Sequence, residues 1–359
     1  MFMDLDTYFI KKSIVNWYDS NKRDLPWRIL PAKKSELPYQ VLVSEIMLQQ
    51  TTVATVKKKY LNFMSLWPNI DSLSRSPKSQ ILRFWSGLGY YRRAINLHKC
   101  AKIIKKEFDS KVPKNEKDLL SLPGIGKYTA SAILAIAYNQ PIIAIDANVQ
   151  RVVTRIYGLT SPVSEIRKQI ESYAKNFVYK DRPGDMVQSL MDFGSIICRP
   201  QNPTCKKCFL NKRCVSFKKK LTNIIPLIKK IPFHEKPIRY AYAYLIFNKK
   251  NNVFLRKRLP TGMLPSMMEV PTSEWLNRPP KVTEIKKFSP IQLQYRKVGK
   301  PIIYPFTHFR LKVFVLVGFS NRKKLKNGNW YSLKRVNSLE LPTVMKKIIF
   351  FSIKSKLLN

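Results

Sequence analysis

Apolar residues recur at helical spacing through much of the first 216 residues of the chain. The periodic stretches cover residues 39–67, 79–108, 128–138, 147–157 and 164–178, and Pro and Gly punctuate their joins. From about residue 217 to 237 the sequence has scattered Pro and pairs of Lys without a sustained period, which is typical of a linker laid along a surface. The pattern therefore predicts a mostly helical domain over residues 1–216 and a linker over 217–237.

Residues 238–359 have a different texture. Short β-rich runs follow one another, and the chain closes on an apolar run with helical character: "RYAYAYLIF", "NVFLRKR", "PIIYPFTHFRLKVFVLVGF", "NWYSL" and "LPTVMKKIIFFSIKSKLL". A chain of 359 residues is long enough for two domains with cores of their own. We expect two domains, an all-α domain followed by an α+β domain.

The charge of the chain points to a polyanionic partner. The formal net charge is +44, and the usual polyanion for such a surplus is nucleic acid. An AT-rich genome would also enrich Lys, Ile, Asn and Tyr. Codon usage is therefore an alternative source of part of the positive charge. The N-terminal "MFMDLDTYFI" lacks a basic region before an apolar core, and no apolar run reaches the length of a membrane span. We expect a cytoplasmic, nucleoid-associated monomer.

Four of the five cysteines lie close together in the sequence. Cys198, Cys205, Cys208 and Cys214 are separated by six, two and five residues, whereas Cys100 stands alone and is most simply a core thiol. In a reducing compartment such a cluster favours a metal over disulfides. Four thiolates on one short loop can hold either a tetrahedral zinc ion or a [4Fe–4S] cube, and the spacing leaves both open.

The stretch "LPGIGKYTASAI", residues 122–133, predicts a tight turn that opens a helix. With Gly124 and Gly126 in the turn, backbone N–H groups point outward at the helix N-terminus, which is an anion site, and Lys127 adds a cation. Taken alone, two such glycines more often mark a plain turn. The basic chain and the cysteine cluster favour contact with backbone phosphate.

Several motifs together resemble a known family. "LPGIGKYTASAI", "IDANVQRV" and the cysteine loop, in that order, resemble the helix–hairpin–helix DNA glycosylase superfamily typified by endonuclease III. "RDLPWR", "SEIMLQQT" and "GLGYYRRAINLH" closely resemble its A/G-specific adenine DNA glycosylase branch, the MutY family. The resemblance implies a [4Fe–4S] cofactor held by the four cysteines, and removal of adenine paired with 8-oxoguanine or guanine in double-stranded DNA.

Tyr128 separates two enzyme hypotheses. Bifunctional members of the superfamily carry a Lys at this place, whose amine attacks the sugar and leads to strand cleavage. A phenol cannot form an imine, so the residue favours a monofunctional glycosylase over an endonuclease III-like glycosylase with lyase activity. A non-catalytic DNA-binding or redox protein, and a pyrophosphate hydrolase built on the second domain, are the remaining alternatives.

Two carboxyl groups are the candidate catalytic pair. Glu45 lies in the apolar run "VLVSEIML", so burial is expected to raise its pKa and let it act as a general acid; the alternative is an ordinary helical ion pair. Asp146 follows "PIIAI" and opens a helix, where it can cap the backbone and also stay ionised beside a developing cation. The resemblance implies that Glu45 protonates adenine, while Asp146 and Tyr128 stabilise an oxocarbenium-like intermediate.

The resemblance also implies two sets of recognition residues. An adenine pocket would be lined by Arg23, Trp27, Arg28, Leu48 and Gln188. The opposite base and the duplex would be contacted by Gln50, Thr51, Leu88, Tyr90, Phe306, Thr307 and His308. For the single residues the alternatives are a core Trp, solvated Arg and Gln, and, for His308, a satisfied core histidine in a strand.

The second domain is similar to the NUDIX-like module of this family. Around Gly262 the sequence "GMLPSMMEVPTSEW" has too few Glu for a Mg²⁺-binding helix, so we expect binding and not hydrolysis. "PFTHFRL" resembles the family's Phe-Ser-His loop, with Thr307 in place of Ser, and it is the expected reader of 8-oxoguanine. Ala147 stands where the family commonly has Gly, and Gln150 stands where some members have Lys.

Overall fold

The computed structural model describes residues 6–29, 33–228 and 232–354. The chain divides into two compact units, the first made of Met1–Arg75 and Asn96–Lys230 and the second of Ser76–Ile95 and Ile231–Asn359. Segment 76–95 therefore groups with the second unit, although the sequence pattern placed it in the first domain. The predicted limits at residues 216 and 237 stay predictions.

Helices make up most of the chain before residue 219, as the periodicity predicted. They are α1 (Thr7–Asn21), α2 (Leu37–Leu48), α3 (Val53–Leu66), α4 (Ile70–Arg75), α5 (Lys78–Phe84), α6 (Arg92–Glu107), α7 (Glu116–Ser121), α8 (Lys127–Tyr138), α9 (Ala147–Tyr157), α10 (Arg167–Lys175), α11 (Pro183–Ile196) and α12 (Val215–Lys218).

Two of the predicted helical stretches are interrupted. The stretch 39–67 is the pair α2 and α3, because Gln50 turns into the left-handed region (φ 53°) and the Thr52 side chain caps the next helix at the Thr55 N–H. The stretch 79–108 is likewise the pair α5 and α6, with Gly87 and Gly89 at positive φ between them. Apolar periodicity continues across these joins, so it could not locate the breaks.

The core of the first unit lies between α9 and α11. Val149, Val152 and Val153 on α9 are 0% exposed and form one apolar cluster with Leu190 and Phe193 of α11. The fold brings the two helices very close: a Cβ on Gly194 would lie 2.8 Å from Cβ of Asn148. This approach fixes the start of α9 against the last turns of α11, which is where the site described below is built.

The second unit contains a mixed sheet, which confirms the predicted α+β character. Its strands and helices are β1 (Ile238–Phe247), β2 (Asn252–Lys257), β3 (Met268–Glu269), α13 (Glu284–Phe288), β4 (Arg296–Pro305), β5 (Arg310–Phe319), β6 (Gly328–Ser332) and α14 (Thr343–Lys354). The strand order is β3-β2-β1-β5-β4, and β6 pairs with β2. The central pair, β1 and β5, is parallel, whereas the other pairs are antiparallel.

Strand β1 is covered on both faces. Ala241 and Leu245 belong to one apolar cluster, while the alternating Tyr242 and Tyr244 belong to a second cluster on the opposite face. Burial on both sides explains why "RYAYAYLIF" is nearly all apolar or aromatic and does not alternate with polar residues. Among the described residues, no helix combines the length and apolar character needed to cross a membrane.

Candidate active site

One cavity of about 560 Å³ opens in the first unit, between the end of α2, the first turn of α8, the start of α9 and the middle of α11. Its walls carry all the catalytic and adenine-pocket residues named from the sequence, together with two of the residues assigned to the opposite base. These are Arg23, Trp27, Arg28, Glu45, Leu48, Gln50, Thr51, Tyr128, Asp146 and Gln188. Residues more than 160 positions apart in the sequence thus share one site.

Glu45 lies in the last turn of α2 and is 6% exposed. Burial raises its pKa from an ordinary value of 4.5 to about 7; the Tyr128 hydrogen bond and the charge of Arg28 oppose this rise, while the charge of Asp146 adds to it. A carboxyl group with this pKa holds a proton in a substantial fraction of molecules at neutral pH. This side chain is therefore not in an ordinary helical ion pair, because burial dominates its pKa.

Tyr128 lies in the first turn of α8 and donates its hydroxyl hydrogen to Oε2 of Glu45 over 2.8 Å. Burial, followed by the negative charges of Glu45 and Asp146, raises the pKa of Tyr128 well above its usual value. The phenol therefore stays protonated and acts as a donor. It offers neither an amine nor a phenolate nucleophile to a bound sugar.

Asp146 is the N-cap of α9, which confirms the capping interpretation. Oδ1 accepts a hydrogen bond from the Val149 N–H at 2.7 Å, and Oδ2 accepts one from Nδ2 of Asn148, also at 2.7 Å. Both oxygens are thus held by N–H donors. The side chain also lines the cavity that contains Glu45.

The two pocket arginines share a buried partner that the sequence did not reveal. Asp192 on α11, with a side chain that is 0% exposed, accepts hydrogen bonds from the side chains of Arg23 and Arg28 at 2.7–2.9 Å. Burial alone would raise the pKa of Asp192, but the hydrogen bond and charge of Arg28, together with Arg23, hold it below its usual value. The only local signal was an Asp inside the apolar run "VQSLMDFGSI".

Trp27 supplies a flat wall beside these arginines. It is 8% exposed and packs edge-on against Tyr60, with ring centroids 5.6 Å apart. The prediction of a core Trp and the prediction of a pocket Trp therefore both describe its position, because it is buried and also lines the cavity.

The glycine turn before α8 has the predicted form. Gly124 has φ +85°, and a Cβ there would lie 2.8 Å from Cβ of Asn96. Gly126 is the N-cap of α8 and provides no side-chain cap, so the first N–H groups of this helix stay available to an anion. Nζ of Lys127 lies 2.8 Å from Oε2 of Glu171, and both side chains are largely exposed. A phosphate would therefore compete with Glu171 for this cation.

The four clustered cysteines follow α11 and line one small cavity of about 30 Å³. Arg155, which is 2% exposed, donates to the carbonyl oxygens of Arg199 and Pro200 and lies 3.4 Å from Sγ of Cys198. Burial raises the pKa of the Cys208 thiol to about 12. Within residues 6–29, 33–228 and 232–354, no group of three or more His, Cys, Asp or Glu side chains could hold a single metal ion. Four cysteines around one cavity are nevertheless a donor set of the kind that binds metal through thiolates.

The remaining predicted contact residues lie in the second unit. The hydroxyl groups of Tyr90 and Thr307 are hydrogen-bonded to each other, and the guanidinium of Arg93 lies over the Tyr90 ring at 5.7 Å. Tyr90 is 45% exposed, whereas Leu88 is 4% exposed. Tyr90 is thus accessible to a duplex, whereas Leu88 is buried, and the assignment of both residues as duplex contacts stays a prediction.

The loop between β4 and β5 corrects one prediction. His308 is exposed and lies in this loop, so the interpretation of a core histidine in a strand is wrong. The loop is closed by a hydrogen bond from the Phe306 N–H to the Phe309 carbonyl, and the two rings stack with centroids 4.8 Å apart. Phe306 also packs against Trp275, at 5.4 Å. Its ring anchors the loop, while Thr307 and His308 are exposed.

Comparison with known proteins first establishes the class to which this protein belongs. Residues 43–176 match the family model of the HhH-GPD superfamily base excision DNA repair proteins, and residues 242–350 match that of the NUDIX domain. A thermostable thymine-DNA glycosylase is 31% identical with a TM-score of 0.53, covering 59% of this chain and 97% of its own. A non-covalent endonuclease III–DNA complex, 21% identical with a TM-score of 0.51 over 62% of this chain and 99% of its own, has the same helical fold. The fold and site define a DNA glycosylase, a hydrolase of N-glycosyl bonds.

The sequence relatives narrow the class to one family. The adenine DNA glycosylase of Buchnera aphidicola subsp. Schizaphis graminum is 37% identical over 360 residues, covering 95% of this chain and 98% of the relative. The human adenine DNA glycosylase is 38% identical over 208 residues, covering 56% of this chain and 38% of the relative. The chain belongs to the adenine DNA glycosylase family, MutY, and the resemblance noted from its motifs is confirmed.

Proposed function

We propose that the protein is a monofunctional glycosylase that removes adenine mispaired with 8-oxoguanine or guanine in double-stranded DNA, the first step of base excision repair. The observation that carries this proposal is the convergence of Glu45, Tyr128 and Asp146 on one cavity large enough for an everted purine. Relatives named adenine DNA glycosylase match almost the whole chain, which supports adenine as the base.

Glu45 is the proposed general acid. The target base leaves the stack and enters the cavity. The protonated carboxyl of Glu45 transfers its hydrogen to N7 of adenine, the bond between C1′ and N9 breaks, and its electron pair stays on the base, which departs neutral. With a pKa of about 7, Glu45 carries this proton in roughly half of the molecules at neutral pH.

Asp146 and Tyr128 act on the sugar that is left behind. Asp146, held by N–H donors on both oxygens, presents negative charge toward the oxocarbenium-like centre, either as a stabilising anion or as a transient nucleophile. The Tyr128 phenol shields the developing positive charge on the sugar and keeps its hydrogen bond to Glu45. Water then adds at C1′, its proton returns to the Glu45 carboxylate, and an abasic site remains.

The walls of the cavity fit an adenine. Trp27 gives a flat apolar face, and Gln188 offers paired donor and acceptor groups to a base edge. For the opposite base, we propose that Gln50 and Thr51 contact the duplex and that Thr307 and His308 read 8-oxoguanine. Thr307 and His308 are exposed, and Thr307 is hydrogen-bonded to Tyr90. Both observations support a reading role for the loop between β4 and β5.

We also propose that Cys198, Cys205, Cys208 and Cys214 hold a [4Fe–4S] cluster with one thiolate each. All four line one cavity, and the family resemblance implies an iron–sulfur cluster and not a zinc ion. When bound, the group would act as a covalent cross-link of the loop after α11. Iron analysis and visible absorption of the purified protein, with Cys208→Ser as the comparison, test this assignment; one zinc and no iron would contradict it.

A duplex with one adenine opposite 8-oxoguanine tests the function. Free adenine and strand breaks are scored separately for the parent, for Glu45→Gln and for Glu36→Gln. Glu36 is a matched control because it is exposed, precedes the same helix and makes no capping hydrogen bond. We expect adenine release without strand breaks, a loss of about 100-fold or more in Glu45→Gln, and no loss in Glu36→Gln. Strand breaks and a borohydride-trapped adduct would instead favour the endonuclease III-like lyase.

A further inference from the structure

Asp192 is a fully buried carboxylate that is not itself among the cavity-lining residues, yet it controls two side chains that are. Oδ2 accepts from the Arg23 backbone N–H at 2.9 Å and from Nη1 of Arg28 at 2.7 Å. Oδ1 accepts from Nε of Arg23 at 2.7 Å and from Nη2 of Arg28 at 2.9 Å. The bidentate geometry fixes the plane of the Arg28 guanidinium and engages both of its terminal nitrogens.

The position of Arg28 matters because it lines the same cavity as the proposed acid and its charge acts on that carboxyl group. The charged and titratable groups that act on Glu45 come from three elements: Tyr128 on α8, Asp146 at the start of α9, and Arg28 from the short turn Pro26–Arg28. An arginine beside a carboxyl group favours the ionised form. Left without a partner, Arg28 would be a cation in a cavity whose chemistry needs Glu45 to keep its proton.

We propose that Asp192 is a positioning residue that holds the Arg28 guanidinium in a bidentate pair and offsets its charge, so that the acid remains protonated while Arg28 stays in the adenine pocket. The inference rests on the proposed function of Glu45 as the general acid. The group formed by Arg23, Asp192 and Arg28 then has an electrostatic role in addition to holding residues 23–28 against α11.

A merely structural role makes a different prediction. If Asp192 only anchors residues 23–28, its loss deforms the pocket, and adenine release falls by the same factor at every pH. If Asp192 offsets Arg28, its loss lets Arg28 stabilise the Glu45 carboxylate. The pKa of Glu45 then falls, and the limb on which the rate decreases with rising pH moves to lower pH.

The experiment is single-turnover adenine release from a duplex with adenine opposite 8-oxoguanine, measured from about pH 5.5 to about pH 8.5. For Asp192→Asn we expect the falling limb about one pH unit lower, which is about a tenfold greater loss at the alkaline end than at the acid end. Asp185→Asn is the matched control, since Asp185 lies on the same helix in a partly exposed pair with Arg182. Its limb should coincide with that of the parent.

Arg28→Gln supplies an independent arm with the opposite sign. Removing the cation should move the falling limb to higher pH, whatever it does to the size of the rate. This arm decides the matter if circular dichroism finds that Asp192→Asn does not fold. A uniform loss across pH in Asp192→Asn, or an unshifted limb in Arg28→Gln, would overturn the inference.

The two proposals fail in different ways. If the parent releases no adenine, the proposed function is wrong, and the role of Asp192, which rests on it, is wrong as well. If the parent releases adenine and Glu45→Gln does not, while the limbs of the parent, Asp192→Asn and Arg28→Gln coincide, the function stands and only the positioning role is wrong.

Discussion

Glu45→Gln should make the protein inactive but more stable at alkaline pH. The parent carboxyl has a pKa of about 7 in the fold against an ordinary value of 4.5, because the site is buried. Below the lower value, Glu45 is protonated in both the folded and the unfolded chain and costs nothing. Above the higher value it is ionised in both, and the folded state bears the full cost of a buried charge. Stability is therefore lost as the pH rises between these two values.

The size of the effect follows from the same two numbers. At about 1.4 kcal/mol for each unit of pKa, the ionised side chain destabilises the fold by about 3 kcal/mol above pH 7. At about pH 5 the same linkage gives only about 1 kcal/mol. Gln is nearly isosteric, keeps an oxygen that can accept from Tyr128, and does not titrate. The stability of the variant relative to the parent should therefore grow by about 2 kcal/mol between about pH 5 and about pH 8.

Urea unfolding of both proteins, followed by tryptophan fluorescence at about pH 5 and about pH 8, measures this change. Taking the variant minus the parent at each pH cancels the titration of every other group. Any constant effect of the amide, such as an unsatisfied N–H, cancels between the two pH values. A difference that stays constant within about 0.5 kcal/mol would mean that Glu45 titrates like an exposed carboxyl, and the general-acid proposal would lose its physical basis.

Three further perturbations have expected outcomes. Tyr128→Phe removes a hydrogen bond that favours the ionised form of Glu45, so the falling limb of the rate profile should move up by about one pH unit; an unchanged or lower limb would contradict this. Gly124→Ala puts a side chain at φ +85° and 2.8 Å from Asn96, and urea unfolding should reveal a loss of roughly 1–3 kcal/mol. Thr307→Val should reduce the preference for 8-oxoguanine over guanine up to about tenfold, measured on paired duplexes, while Thr283→Val, exposed and without a capping bond, should leave it unchanged.

Local sequence signals were enough to find the candidate catalytic residues but not the residues that support them. Glu45 stood out because a carboxyl group is costly to place among the apolar residues of a helix, and Asp146 because an N-cap has a recognisable position. Asp192 could not be found in this way, since its partners Arg28 and Arg23 lie 164 and 169 residues away in the sequence. A buried ion pair is a property of the packed helices, and no periodicity within α11 encodes its partners.

Errors in the sequence interpretation came from backbone turns. The left-handed residue Gln50 breaks a helix that apolar spacing continues through, and the loop between β4 and β5 interrupts an apolar run that was interpreted as containing His308 in a strand. In both cases the composition stays the same while the backbone changes direction. Hydrophobic pattern reports which side of an element is buried, and it is insensitive to one or two residues that turn the chain.

The opposite tasks proposed for the two carboxyl groups fit the donors from which each accepts hydrogen bonds. Asp146 accepts from two N–H groups, one of them at the start of a helix, where the partial positive charge of the helix N-terminus favours an anion. Glu45 accepts from a single phenol and is otherwise enclosed by the apolar end of α2, so its neutral form is favoured. Exchanging the two side chains by mutation would therefore not exchange the proposed roles, because the burial that raises the pKa of a carboxyl group belongs to the position of Glu45. The positions of the two carboxyl groups are set by the end of α2 and the first turn of α9, and Gly194, whose missing side chain lets α11 approach α9, holds the second of these.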